Sequence, residues 1–109
     1  MLSATIRFIK KVDVEKKVAG LIDSEMDALA GMLEADIKEQ TPVITGRLKA
    51  SMIGSKVGFC KGKVSTDVEY APYVEFGTSK MEPRAMMRKG GTIFAPRGLK
   101  YLQDKLKSL

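Results

Sequence analysis

Histidine and tryptophan are absent from this chain, and cysteine occurs once, as Cys60. Without histidine the chain lacks the commonest metal ligand and the side chain that most often acts as a general base near neutral pH. A single cysteine cannot close an internal disulfide. No cluster of Cys, Asp or Glu shows metal-ligand spacing, so neither a metal nor another cofactor is expected. No apolar run approaches the ~18 residues of a membrane span, so no membrane partner is expected either. The first ten residues hold Arg7 and Lys10 and no small-residue cleavage pattern behind an apolar run. The expectation is a chain without a secretory leader, assembled in the cytoplasm of its host cell. Aromatic residues are few, and no segment interleaves them with basic residues as a single-strand nucleic-acid platform would.

What is present fits one domain spanning residues 1–109. A chain of 109 residues buries roughly 65% of its unfolded surface and needs no staple. The net charge is +6, from 19 basic and 13 acidic residues. The excess lies after Thr41, at positions such as Lys61, Lys63, Lys80, Arg84, Arg88, Lys89 and Lys100. A basic balance is compatible with a small DNA-binding regulatory domain, with a solvated basic face, or with a channel that tolerates DNA phosphates nearby.

Ala4, Ile6 and Phe8 alternate with Thr5 and Arg7, which predicts a strand over Thr5–Ile9. Asp13 then suits an N-cap, with Glu15 in the first turn. Val14, Val18, Leu21, Ile22, Met26, Leu29, Met32, Leu33 and Ile37 recur at three- and four-residue spacing. They predict one amphipathic helix of about 27 residues, ~40 Å long, ending near Gln40 before Pro42. Gly20 and Gly31 weaken it and leave room for another backbone. Glu34 and Lys38 form an i,i+4 pair on its exposed face. Thr45 is positioned to cap a short second helix running through Met52. A hairpin is expected next, with Lys56–Cys60 as one strand, Lys61-Gly62 as the turn and Lys63–Val68 as the return. Cys60 reads as a small strand residue, because no base stands near it. Gly90-Gly91 reads as a joint, Thr92–Phe94 as a short final strand, and Pro96 as the first position of a C-terminal helix carrying Leu99, Leu102 and Leu106.

Two segments stand out. Thr41 to Met52 has the skeleton Pro-Val-x-Thr-Gly-x-Leu-x-x-Ser, carried by Pro42, Thr45, Gly46, Leu48 and Ser51. Tyr70-Ala71-Pro72-Tyr73-Val74-Glu75-Phe76-Gly77-Thr78 holds two of the three tyrosines and closes on a Gly-Thr turn. Pro72 should turn the chain out of the sheet into a short helical turn or a bent strand, with Tyr73 and Phe76 able to pack on the long helix. Gly77 should supply a positive φ. Glu75 needs a partner if buried. That partner is backbone N–H groups, Arg47 or Arg84 of the same chain, or an arginine of a neighbouring subunit.

Both segments in this order resemble the small head–tail joining proteins of long-tailed bacteriophages and prophages, also called neck or tail-completion proteins. The resemblance runs roughly from Ile6 to Arg88. It departs at Ile44, where the family carries an acid, and after Thr78, where Met86-Met87-Arg88-Lys89-Gly90 replaces an aromatic and proline-rich stretch and only Arg88 keeps its place. The resemblance implies a non-enzymatic virion protein of the neck or tail. Its partners would be other copies of itself in a ring, and connector, head-closure or tail-tube proteins. It makes Pro42, Thr45, Gly46, Leu48, Ser51, Tyr70, Ala71, Tyr73, Glu75, Phe76, Gly77 and Thr78 signature residues. Pro42, Thr45 and Gly46 also read as plain helix-turn chemistry. Arg47, Arg84, Met86, Met87 and Arg88 are candidate subunit or partner contacts, the methionines alternatively core filler.

The residues alone point the same way on catalysis. No nucleophile has an adjacent base, no phosphate-cradling loop exists, and Asp67 and Glu69 fall on one face of an exposed segment. The expected fold is α+β: an antiparallel sheet of three to four strands, a long N-terminal amphipathic helix packed on one face, and a C-terminal helix.

Overall fold

The computed structural model describes residues 2–7, 16–42 and 46–107. Strand β1 is Leu2–Arg7; helices α1 and α2 are Lys16–Ser24 and Met26–Gln40; α3 is Arg47–Ser51. Strands β2 and β3 are Ile53–Gly58 and Lys61–Thr66, and helices α4 and α5 are Ala71–Phe76 and Met86–Leu106. The fold is α+β, with a three-stranded antiparallel sheet in the order β1-β3-β2.

Helix α2 is the centre of the molecule. One side lies on β2 and β3, and another packs against α5. Met26, Leu29, Leu33 and Ile37 of α2 are buried with Leu48, Met52, Val64, Val68, Val74, Met86, Met87, Phe94 and Leu102. Each such side chain contributes about 1.5–3 kcal/mol through removal from water. The α2–α5 crossing depends on Gly90: a Cβ there would lie 2.7 Å from Ile37 Cα and 2.9 Å from its N.

The expected single long helix is two. Glu25 sits between α1 and α2 with φ −96° and ψ 0°, off helical geometry. Its N–H is shared between Leu21 O and Ile22 O, each at 3.2 Å. Its carboxylate accepts the Tyr101 hydroxyl of α5 at 2.6 Å, which holds that phenol above its usual pKa. The apolar stripe passes through this break undisturbed, so periodicity alone reads it as continuous. Nothing packs on Gly31 or Gly20, against the expectation that they admit a second backbone. The Glu34–Lys38 pair forms at 3.1 Å. Asp13 lies outside the described residues, as do Phe8 and Ile9 of the expected first strand.

The hairpin forms two residues earlier than expected, with Phe59-Cys60 as its turn. Cys60 is not a strand residue: it is buried and takes φ 53°. Its N–H donates to Asp23 Oδ1 at 2.8 Å and its thiol to Ala19 O at 3.5 Å, which fixes the turn there. Val57 and Phe59 are exposed. Gly90 through Phe94 are helical and Pro96 lies inside α5 instead of at its start. Packing of Gly90 on Ile37 and burial of Phe94 and Leu102 in the core shared with α2 override the local preference for a joint and a strand.

Candidate functional site

Pro72 enters the first turn of α4, where a missing N–H costs nothing. Ala71, Val74 and Glu75 face inward; Tyr73 and Phe76 are 58% and 62% exposed. These two aromatics do not pack on α2, contrary to expectation. Three residues apart, they share the outward face of α4. Gly77 ends the helix at φ +79° and accepts no side chain: a Cβ would stand 2.8 Å from Pro83 N and 2.9 Å from Met81 O. Thr78 pairs with Met81 in a short bridge, and its hydroxyl accepts the Lys80 N–H at 3.2 Å. The chain then returns along α4, with Arg84 N–H donating to Val74 O at 2.8 Å and Ala85 N–H to Glu75 O at 3.1 Å.

Glu75 is only 2% exposed, and its partners are at the start of α5. Its carboxylate accepts the Met87 N–H at 2.7 Å, the Arg88 N–H at 3.3 Å and Arg88 Nε at 3.0 Å. Arg88 Nη2 donates to Glu75 O at 3.0 Å. A carboxylate on the first N–H groups of a helix satisfies orphan donors and complements the helix dipole. Of the expected partners, the backbone N–H groups are observed; Arg88 takes the place of Arg47 or Arg84. The same guanidinium stands 5.6 Å from the centre of the Phe76 ring. Met86 and Met87 are buried in this chain's core, which removes them from the exposed contact surface.

The first signature meets the second on the other side. Gly46 precedes α3 at φ +79°, and Leu48 is buried. Pro42 is half-buried just past α2, and Thr45, the expected cap, lies outside the described residues. Ser51 Oγ lies 2.5 Å from Thr66 Oγ1, which also accepts the Val68 N–H at 3.2 Å. Arg47 reaches Glu69 with both terminal nitrogens, each at 3.2 Å. Its guanidinium lies 5.9 Å from the Tyr70 ring centre. The contact with Glu69 raises the Arg47 pKa above its ordinary value. Glu69 is held below the usual carboxylate range by its own backbone N–H first and by Arg47 second.

Several polar residues escaped the sequence reading. Asp36, 1% exposed on α2, pairs with Arg97 of α5, while Asp36 Oδ2 has no partner among the described residues. Asp23, Asp27 and Glu34 all bond the β2 hairpin. Their spacing of four and seven residues on one helical face was the legible signal. Among the described residues no group of three or more His, Cys, Asp or Glu is placed to hold a metal. Among them, too, no helix is long and apolar enough to cross a membrane. Lys38, Arg47, Lys56, Arg88 and Arg97 each pair with a carboxylate.

Residues 3–77, more than half of the chain, match the family model described as "Bacteriophage HK97-gp10, putative tail-component". The chain belongs to that family. No curated protein and no solved structure matches it. As a member of a phage tail-component family, the protein is grouped with structural proteins of the virion tail, and its partners are other phage structural proteins. The match lends no support to a DNA-binding regulator. The first signature of this tail component lies inside the matched segment, and the match stops at Gly77, one residue short of the end of the second. Helix α5, which receives Glu75, lies beyond it.

Proposed function

We propose that this tail-component protein is a non-enzymatic head–tail joining or tail-completion factor that assembles as a ring at the head–tail connector. The observation that carries this reading is the outward pair Tyr73 and Phe76 on a helix anchored by buried Ala71, Val74 and Glu75. Large aromatics with an adjacent arginine are the composition of interface hot spots. Here Phe76 stands beside Arg88, with Arg84 and Met81 also exposed. Glu75 and Gly77 hold the backbone beneath them, so little order has to be gained on docking. A ring of identical copies uses heterologous contacts that close by rotation. The α4 face supplies one half of such a contact, and Arg47, with Glu69 and Tyr70, supplies a polar rim on the side of the first signature.

Deleting the gene from its phage or prophage should leave filled heads and tails that fail to join, counted by electron microscopy of lysates. Joined, infectious particles at normal yield without the gene would falsify this function.

A further inference from the structure

The charge of this chain is not spread along it. Residues 3–77, the segment that matches the family, hold 11 basic and 11 acidic side chains. Residues 78–109 hold eight basic and two acidic ones. The whole net charge of +6 therefore lies beyond the matched segment, most of it on α5.

Two of these cations are committed within the chain. Arg88 meets Glu75 and Arg97 meets Asp36, both of them buried carboxylates. Lys105 lies over the Tyr101 ring. Lys89, Lys100 and Lys107 are exposed, and among the described residues none of them pairs with a carboxylate. They stand 11 and 7 residues apart, close to three and two whole helical turns, so they share one line along α5 and its C-cap. That line is about 27 Å long at 1.5 Å per residue. It runs on the side of the helix opposite to the buried Phe94, Gly98 and Leu102. Asp104 is the one acidic residue of α5.

The chemistry of this line selects its occupant. A second copy of the chain presents the same cations and is repelled. Its described carboxylates are largely held by its own cations and backbone N–H groups. The others, such as Glu39, Asp67 and Glu82, lie on separate elements and form no acidic face. A different protein is a poor fit too, because protein interfaces favour aromatics and arginine and exclude lysine. A lipid surface would need the apolar side of α5, which is spent in the core. Lysines act as point charges that suit phosphates along a backbone, where the count of neutralised charges sets affinity. With no aromatic residue on the line to stack on splayed bases, the fit is to a duplex and not to a single strand.

We propose that the outward face of α5, through Lys89, Lys100 and Lys107, binds the phosphate backbone of duplex DNA without reading its sequence. The contact is one of charge with charge and requires no operator. The inference is separate from the ring reading: it concerns the single chain, and it stands or falls whether or not α4 joins copies.

The probe is a fluorescein-labelled duplex of mixed sequence, titrated with the full chain and followed by anisotropy across a salt series. Kd should lie in the range of ~1–100 μM near physiological salt. Three phosphate contacts give a log–log salt slope of about −3, a loss of about 40-fold between ~50 and ~200 mM. The triple variant Lys89→Gln, Lys100→Gln, Lys107→Gln should bind at least ~10-fold more weakly at ~50 mM, with a slope near zero. All three side chains are exposed, so the fold should not depend on them. Lys49→Gln with Lys61→Gln and Lys63→Gln removes the same charge from other elements and should stay within about three-fold. Four outcomes overturn the proposal. They are no saturable binding at ~50 mM salt, equal losses in the two triple variants, an unchanged salt slope in the α5 variant, or polyglutamate competing as well as unlabelled duplex. The last would put an acidic polypeptide in the place of DNA.

Discussion

Glu75 supplies to helix α5 the cap that Ala85 cannot. Ala85 occupies the N-cap position at φ 47° with no side-chain acceptor. The Glu75 carboxylate, ten residues upstream, takes the N–H groups of Met87 and Arg88, the second and third residues of that helix. These are the donors that a Ser or Asp at the N-cap would serve. Glu75→Ala strands both and removes the acceptor of Arg88 Nε. The expected loss is about 2–3 kcal/mol, by the cost of unmet buried donors. Glu75→Gln keeps an acceptor but loses the charge, and should cost about half as much. Urea denaturation of both variants checks the order.

Two glycines within helices should respond with opposite signs. Gly90→Ala forces α5 off Ile37, and overpacking of this kind costs about 1–3 kcal/mol. Gly31→Ala meets nothing within 4 Å and should stabilise by about 1 kcal/mol through helix propensity. Thermal melts of the two single variants decide it; equal effects would contradict the close crossing.

The acid limb of stability should carry a contribution from Asp23. Its carboxyl is held below 3.8, first by the Lys56 side chain and then by the Cys60 N–H. A depressed folded-state pKa gives stability that is present above the unfolded value and lost as pH falls through the folded one. Asp23→Asn should therefore be less stable than wild type at neutral pH. The gap should close as pH falls through and below the ordinary carboxylate range. Denaturation midpoints across that range test the sign, and a gap that widens in acid would refute it.

Tyr73→Ser with Phe76→Ser should separate assembly from folding. Both side chains are exposed, so stability should change by no more than about 0.5 kcal/mol each. Complementation of the deleted gene should nonetheless fall at least tenfold, on the order expected when central aromatic contacts are lost. Full complementation by the double variant would remove α4 from the interface.

The parts of this fold that periodicity controls were legible before the coordinates. The apolar stripe from Val18 to Ile37, the existence of a hairpin, the departure from the sheet at Pro72 and the positive φ of Gly77 follow from local sequence; that the chain there forms a helix and not a bent strand does not. Nonlocal contacts decided the rest. Asp23 and Ala19 fix Cys60 in the turn and thereby shift the hairpin by two residues. Close packing of Gly90 on Ile37 holds this stretch in α5, where the sequence reads as a joint. Glu25 breaks the helix at a residue the stripe does not use, so the pattern carries no trace of it. At the candidate site the sequence indicated that Glu75 needed a partner and offered backbone N–H groups as one. It did not identify Arg88, because sequence spacing says nothing of which helix start will arrive beside α4. The outward turn of Tyr73 and Phe76 was missed for a simple reason: aromatic residues default to the core in a pattern reading, and α4 is too short for its two faces to separate.

The link from Glu75 to α5 also decides where this protein can be cut. The segment that matches the tail-component family ends at Gly77, two residues past a carboxylate whose partners are at 87 and 88. A fragment ending there would bring a bare charge to the place where the helix should begin. Phe94 and Leu102 would be missing from the side of α2 as well. The recognisable part of the chain therefore borrows its completeness from the unrecognised part. A library of shortened or chimeric versions should tolerate exchanges late in α5 long before it tolerates a new first turn.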